Sequence, residues 1–240
     1  MLILDKNSQF SYSQWHEAVM QEGGAVLINK PTSWTSFDVV AKLRNITKVK
    51  KIGHCGTLDP FAEGLLILCL GKATKSITTF QDLPKQYIAT VKLGAITKTL
   101  DPESEEENIL PIGHITNSDI NNIVNSFIGE IEQVPPMFSA KKIKGKKLYE
   151  LARKNIELEI PPATINIYEI KILDIELPFV KLKINCSKGT YIRSLARDIG
   201  EKLKVGAYLT NLVRTKIGDY ESKNALTIHD FLELKDKSSI

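Results

Sequence analysis

Cysteine is scarce in this 240-residue chain: only Cys55, Cys69 and Cys186 are present, in no CxxC or Cys/His spacing. An odd, scattered set argues against a disulfide framework and against a structural zinc site. Histidine is nearly as sparse, and His16, His54, His114 and His229 show no ligand-like spacing. No metal site is expected. Long apolar runs are also missing: the longest, from Leu65 to Leu70, is far too short to span a bilayer. The N-terminus carries Asp5, His16 and Glu17 and lacks a basic start followed by an apolar stretch, so it does not read as a signal peptide. These absences point to a soluble, cytosolic protein with no membrane association. No internal repeat and no low-complexity segment occurs. The net charge of +4 is compatible with a nucleic-acid partner without requiring one.

What is present is ordinary globular material, 42% hydrophobic and 25% charged, enough for one large domain or two small ones. Residues 1–22 read as a polar, helical lead. After the Gly23-Gly24 break, AVLIN (25–29) reads as a buried strand stopped by Lys30-Pro31. A Ser/Thr cap then precedes FDVVAKLRNI, where Phe37, Val40 and Leu43 fall at helical spacing. LLILCL reads as a second buried strand, GKATKSITTF as the start of a helix, and QYIATVKL (86–93) alternates as a strand does. DPESEEE (101–107) reads as an exposed acidic loop. SDINNIVNSFI (118–128) reads as a capped amphipathic helix, and GTYIRSLARDIGEKL as a loop feeding a helix. Strands and helices mix without regular βαβ alternation, which predicts an α+β fold.

Familiar catalytic patterns fail on spacing. Gly64 to Gly71 leaves six intervening residues where a phosphate-binding loop needs four, and Ala73 follows the lysine in place of Ser or Thr. Ser139 has no GxSxG context. The remaining candidate is the loop Gly53-His54-Cys55-Gly56-Thr57-Leu58-Asp59-Pro60. Two glycines permit tight backbone or close approach to a ligand, and Pro60 holds Asp59 extended, so its carboxylate projects from a constrained loop. By local chemistry two readings stand: an acid/base or nucleophilic aspartate, or a turn in which Asp59 caps a helix and His54 bonds backbone.

The run GHCGTLDPFAEGLLILCLGKATK resembles the catalytic motif of the TruB family of tRNA pseudouridine synthases. Further motifs stand in the family's order. LINKPTSWTSFDVV is similar to its N-terminal Lys-Pro motif, and KQYIATVKLGAITKTLD to its tyrosine-containing strand. QVPPMFSAKKIKGKKLYELAR is similar to its RNA-binding insertion, CSKGTYIRSLARDIGEKL to its arginine motif, and LTNLVRTKIGDY to its closing segment. Together they span about residues 25–220. The chain departs from the pattern at Ser104, where a glycine is expected, and in having few residues after Tyr220. An accessory RNA-binding domain of the PUA type is therefore expected to be absent or vestigial.

The resemblance implies a central mixed, mostly antiparallel sheet flanked by helices and loops. It divides the chain into a lead (1–22), a catalytic domain (23–225) with an RNA-binding insertion at about 134–155, and a short tail (226–240). It implies that uridine at position 55, in the T-loop of tRNA, is flipped out and isomerised to pseudouridine, at a few kcal/mol of unstacking. Because the bond to N1 is exchanged for one to C5 without redox change, no cofactor is implied.

Asp59 matches the family's catalytic aspartate, acting at the ribose or on the uracil ring. Arg193 matches the arginine that pairs with that carboxylate, and Tyr87 the tyrosine that stacks on the target base; surface and core readings stand beside them. Leu212 matches an apolar residue beneath the base, where a plain core role serves nearly as well. His54 is assigned to the RNA loop from which bases are extruded. Lys30, Gly56, Thr57, Leu58 and Tyr191 are assigned to substrate binding. Lys141, Lys142 and Lys147 belong to the insertion's cluster of five lysines in seven residues, which is expected to face phosphates. Lys42, Arg44, Lys48, Lys50, Lys51, Lys72 and Lys75 flank the catalytic loop with more positive charge.

Two other functions compete. A pure RNA chaperone on this fold has no use for a buried charged pair. A guide-dependent synthase working on rRNA within a protein complex normally carries the accessory domain. The expectation is a stand-alone, monomeric tRNA enzyme with the T-arm as its partner.

Overall fold

Where the sequence places a Ser or Thr cap ahead of apolar residues at helical spacing, helices form. The computed structural model describes residues 1–143, 145–154, 156 and 158–238, and the side chain of Lys147 lies outside the description. In chain order the elements begin with β1 (Leu2–Leu4), α1 (Tyr12–Gln21), β2 (Gly24–Lys30), α2 (Ser36–Thr47), β3 (Ile52–His54) and β4 (Glu63–Leu70). A 3-10 turn leads into α3 (Ile77–Asp82), followed by β5 (Lys85–Leu93), β6 (Ile96–Thr97), β7 (Glu106–Glu107), α4 (Asn117–Asn125) and β8 (Gly129–Gln133). Then come β9 (Lys142–Ile143), β10 (Lys146–Lys147), α5 (Leu148–Ala152), β11 (Ala163–Glu176) and β12 (Phe179–Cys186). The chain closes with α6 (Ile192–Leu203), β13 (Ala207–Ile217), β14 (Tyr220–Glu221) and α7 (Ile228–Lys237). Strand pairing is mostly antiparallel and helices flank the strands, so the class is the α+β one expected.

The chain divides into two compact units, Met1–Gln86 with Val213–Ile240, and Tyr87–Leu212. In the first, β4 pairs antiparallel with β2 and β3 and parallel with the end of β13, while β1 adds parallel to β2. Both faces are covered, so β4 is buried along nearly its whole length and reads as a continuous apolar run. Val26, Ile28, Leu66, Leu68 and Leu70 meet α1, α2 and α7 on one face. Ala25, Leu27, Leu65, Ile67 and Cys69 meet Phe80 and Ile217 on the other.

The stretches read as lead and tail both fold into this unit. Ser11 caps α1 and Thr227 caps α7, each through a reciprocal capping box. Trp15 of α1 and Phe231 of α7 are fully buried and meet edge to face, ring centroids 5.8 Å apart. Thr227→Ala removes the acceptor for the Asp230 amide, a bond of 3.0 Å. It is expected to lower unfolding stability by about 1 kcal/mol in urea titrations. An unchanged midpoint would mean that Phe231 packing alone sets the helix.

Helix α2 bears out the Ser/Thr cap, since Thr35 accepts from the Asp38 amide. Its buried stripe is Ser36, Val39, Val40, Leu43 and Thr47. Phe37 sits roughly 100° round the axis from Ser36, as helical pitch requires, and is 63% exposed.

In the second unit the strand order is β5, β12, β11, β8, with β11 antiparallel to both its neighbours. Helix α6 buries Ile192, Leu195, Ala196, Ile199 and Leu203 and packs beside α4. The acidic stretch 101–107 is exposed at Glu103, Glu105, Glu106 and Glu107, as expected, but Asp101 is buried to 1%.

Candidate active site

In the first unit, β3 delivers the loop. Its antiparallel register with β4 (Ile52 opposite Leu70, His54 opposite Leu68) continues through a bond from the Cys55 amide to the Ile67 carbonyl, 2.8 Å. The chain then turns at Gly56, whose φ of +115° disfavours a side chain. From there the loop is held by side chains reaching its backbone. The Ser36 hydroxyl accepts from the Leu58 amide (2.9 Å) and donates to the Leu58 carbonyl (3.2 Å). The Lys30 ammonium, fully buried, donates to the carbonyls of Trp34 (2.6 Å), Pro31 (2.8 Å) and Pro60 (3.2 Å). The Arg214 guanidinium donates to Thr57 and Gly56.

Asp59 sits half-buried inside this frame, its own carbonyl accepting from the Ala62 amide at 3.1 Å. Constraint on both sides of a carboxylate is what a group that must act in one direction requires. Lys30, His54, Gly56, Thr57, Leu58 and Asp59 thus come together as one structure, with Leu58 buried beneath the loop and Thr57 exposed upon it.

The charges of this loop shape one another. Burial pulls the Lys30 ammonium down to about 8, and Asp59 is the strongest of the carboxylates opposing that fall. Burial, then the Arg214 charge, lowers His54 from its ordinary value, leaving a neutral ring at pH 7. Cys55 and Cys69 have sulfurs 3.4 Å apart, both buried and both free, a contact their sequence spacing does not announce.

In the second unit, Tyr191 is the N-cap of α6 and Arg193 lies in its first turn. The Gln133 side chain brackets Tyr191, accepting from its amide (2.8 Å) and donating to its carbonyl (3.1 Å). Arg193 is 4% exposed. One nitrogen donates to Asp101 (3.0 Å) and to the Thr99 carbonyl (2.9 Å), the other to the Phe138 carbonyl (2.7 Å). Asp101 also accepts from the Thr99 hydroxyl (2.5 Å) and the Glu103 amide (3.0 Å). The arginine therefore ties together α6, the start of the acidic stretch and the entrance to the insertion. Tyr87 is buried on β5 and Leu212 on β13. Lys141 is half-buried, Lys142 is exposed on β9, and the Lys147 side chain is outside the described residues.

Sequence reasoning missed Ser36 and Arg214 and did not give Asp101 its partner. A serine in a cap region and an arginine in an alternating strand carry no local signal of the backbone they will hold. Among the described residues, no group of three or more His, Cys, Asp or Glu is placed to hold a metal, and no helix is long and apolar enough to cross a membrane.

Comparison with known proteins falls on one family. Residues 44–192 match the model of the TruB family pseudouridylate synthase N-terminal domain, and residues 193–239 that of the tRNA pseudouridylate synthase B C-terminal domain. The chain is 47% identical over 227 residues to tRNA pseudouridine synthase B of Phocaeicola vulgatus, covering 92% of this chain and 96% of that one. It is 50% identical over 213 residues to the protein of the same name from Clostridium acetobutylicum, covering 88% and 72%. Among solved structures it resembles one in a Cbf5-Nop10-Gar1 complex, with TM-score 0.72 and 28% identity. That match takes in 99% of this chain and 65% of the other.

Proposed function

This chain belongs to the TruB family of pseudouridylate synthases, which isomerise uridine to pseudouridine in tRNA, and from that premise we propose that its target is uridine 55 in the T-loop, with Asp59 as the catalytic carboxylate. The observation that carries this reading is the framing of Asp59: Ser36, Lys30 and Arg214 bond the loop backbone on both sides of it. A carboxylate serving only as a turn cap has no need of two buried cations fixing its loop.

In the proposed reaction the T-loop uridine is extruded, the C1′–N1 bond breaks and C1′ is rejoined to C5, the C5 proton leaving to solvent and N1 taking one up, while Asp59 acts on the nucleotide. Tyr87 and Arg193 take the roles the resemblance implies, as do His54 and the residues of the loop around it. The protein acts in the cytoplasm as a monomer. The exposed Lys142 and half-buried Lys141 present charge to phosphates of the T-arm.

Two measurements test this. Carbodiimide primer extension on an unmodified tRNA transcript is expected to stop at the T-loop uridine after incubation with the protein, and nowhere in a transcript carrying cytidine there. A stop elsewhere overturns the assignment of position. Binding should also be salt-dependent, and the double variant Lys141→Ala/Lys142→Ala should flatten the slope of log K against log salt by about 1.5. An unchanged slope takes these lysines off the RNA.

A further inference from the structure

Arg214 is almost wholly buried, 1% exposed, and among the described residues its hydrogen-bond partners are backbone carbonyls. Its Nε donates to Leu65 at 2.8 Å, Nη1 to Thr57 at 3.1 Å and Nη2 to Gly56 at 3.2 Å. No carboxylate among the described residues forms an ion pair with it. Burying a guanidinium without a counter-ion is costly, and surface arginines on strands are easily had instead. The surrounding chain is adapted to bring it there. Strand β13 pairs parallel with β4 so that Arg214 lies opposite Gly64. Gly64 has a φ of +106°, and a Cβ at that position would stand 2.4 Å from the Arg214 carbonyl oxygen and 2.9 Å from its nitrogen. Only glycine lets the two backbones approach so closely.

The two loop carbonyls that Arg214 takes belong to the third and second residues before Asp59. Lys30 takes the carbonyl of Pro60, immediately after it. The backbone of segment 56–60 is therefore held at both ends by buried cations, on either side of Asp59. The fork of a guanidinium matches three converging carbonyls, whereas an ammonium is a point charge on a flexible stem.

We propose that Arg214 is a positioning residue for the isomerisation: through the carbonyls of Gly56 and Thr57 it sets the direction in which Asp59 leaves its loop. This rests on the reading of Asp59 as the catalytic group. A residue that only staples the fold would change stability, and with it the active fraction, but not the rate constant of the folded enzyme. A positioning residue changes that rate constant at saturation and leaves tRNA affinity alone.

The test uses the full chain with Arg214→Lys and Arg214→Ala, on unmodified tRNA, at enzyme concentrations that saturate the RNA. Thermal melts and circular dichroism give the folded fraction, filter binding gives Kd, and single-turnover pseudouridine formation gives the rate constant. Both variants are expected to lose about 10²-fold in that constant, the loss that a misplacement near 1 Å produces. Kd should stay within about threefold. Guanidinium chloride at low millimolar concentration should partly restore the Arg214→Ala rate, where equal sodium chloride does not. Gly64→Ala, which drives β13 away, should reproduce the rate defect. The proposal is overturned by a wild-type rate in Arg214→Lys, by a loss that tracks only the folded fraction, or by one that resides in Kd. Failure of both variants to fold makes Arg214 a folding residue and also defeats it. A wild-type protein that itself makes no pseudouridine fails the earlier reading of Asp59 and removes the basis of this one.

Discussion

Asp59→Asn is expected to abolish pseudouridine formation while leaving tRNA binding intact. The substitution conserves shape and can keep the backbone bonds that Ser36, Lys30 and Arg214 make to the loop. What it removes is the negative charge and the basic, nucleophilic oxygen. Loss of a single acid–base or nucleophilic group typically costs 10²–10⁴-fold, so the single-turnover rate should fall by roughly 10³-fold or more. Kd should not weaken, since a carboxylate contributes nothing favourable to a polyanion. Removing the charge opposite Lys30 also withdraws the strongest support for its ammonium, which burial already holds near 8. Filter binding and primer extension on the same preparation separate the two effects. A variant that binds and still modifies removes Asp59 from the chemistry.

Asp101→Asn is expected to cost the second-largest effect, and chiefly in stability. Arg193 and Asp101 are 4% and 1% exposed and meet at 3.0 Å, so the pair sits where water cannot replace a lost partner. Deleting one member of such a pair typically costs 3–5 kcal/mol, because the other charge stays buried. In a chain of this length that corresponds to a melting point lower by roughly 10 °C. The same argument predicts that Asp101→Leu/Arg193→Met is less destabilised than either single change, since replacing both charges by apolar groups is often neutral. Activity follows a different order. Asp101→Asn should retain partial activity at a temperature where it is folded, down roughly 10–100-fold, because Arg193 still holds the carbonyls of Thr99 and Phe138. Equal melting points for wild type and Asp101→Asn would show that the pair contributes no net stability.

Much of the fold was legible where short-range rules decide it. The Ser/Thr cap ahead of FDVVAKLRNI is Thr35, one residue before α2, whereas the helix read over 118–128 is capped earlier, at Thr116, and ends at Asn125. The alternation over QYIATVKL became β5, and the apolar run LLILCL became β4. Less visible was how these elements share their faces. Phe37 looked like part of the α2 core stripe, yet the stripe is set by Ser36, Val40, Leu43 and Thr47, one step around the helix. GKATKSITTF begins as a 3-10 turn, with the α-helix starting only at Ile77. The stretches 1–22 and 226–240, plain at the level of composition, turned out to meet through Tyr12, Trp15 and Phe231. No local pattern announces a contact between residues more than two hundred positions apart.

The site divides in the same way. From its residues alone the sequence determined a constrained loop with an acid before a proline, and its ordered motifs determined the family. Glycine, proline and cap chemistry act over a few residues, so they can be read without a fold. Only the tertiary structure decided that Arg193 would find Asp101, 92 positions away, and that Arg214 would reach Gly56 across 158. A buried charge takes its partners from whatever carbonyls and carboxylates packing brings within about 3 Å. That selection is made by the register of β13 on β4 and by the path of α6, and only the assembled backbone supplies it.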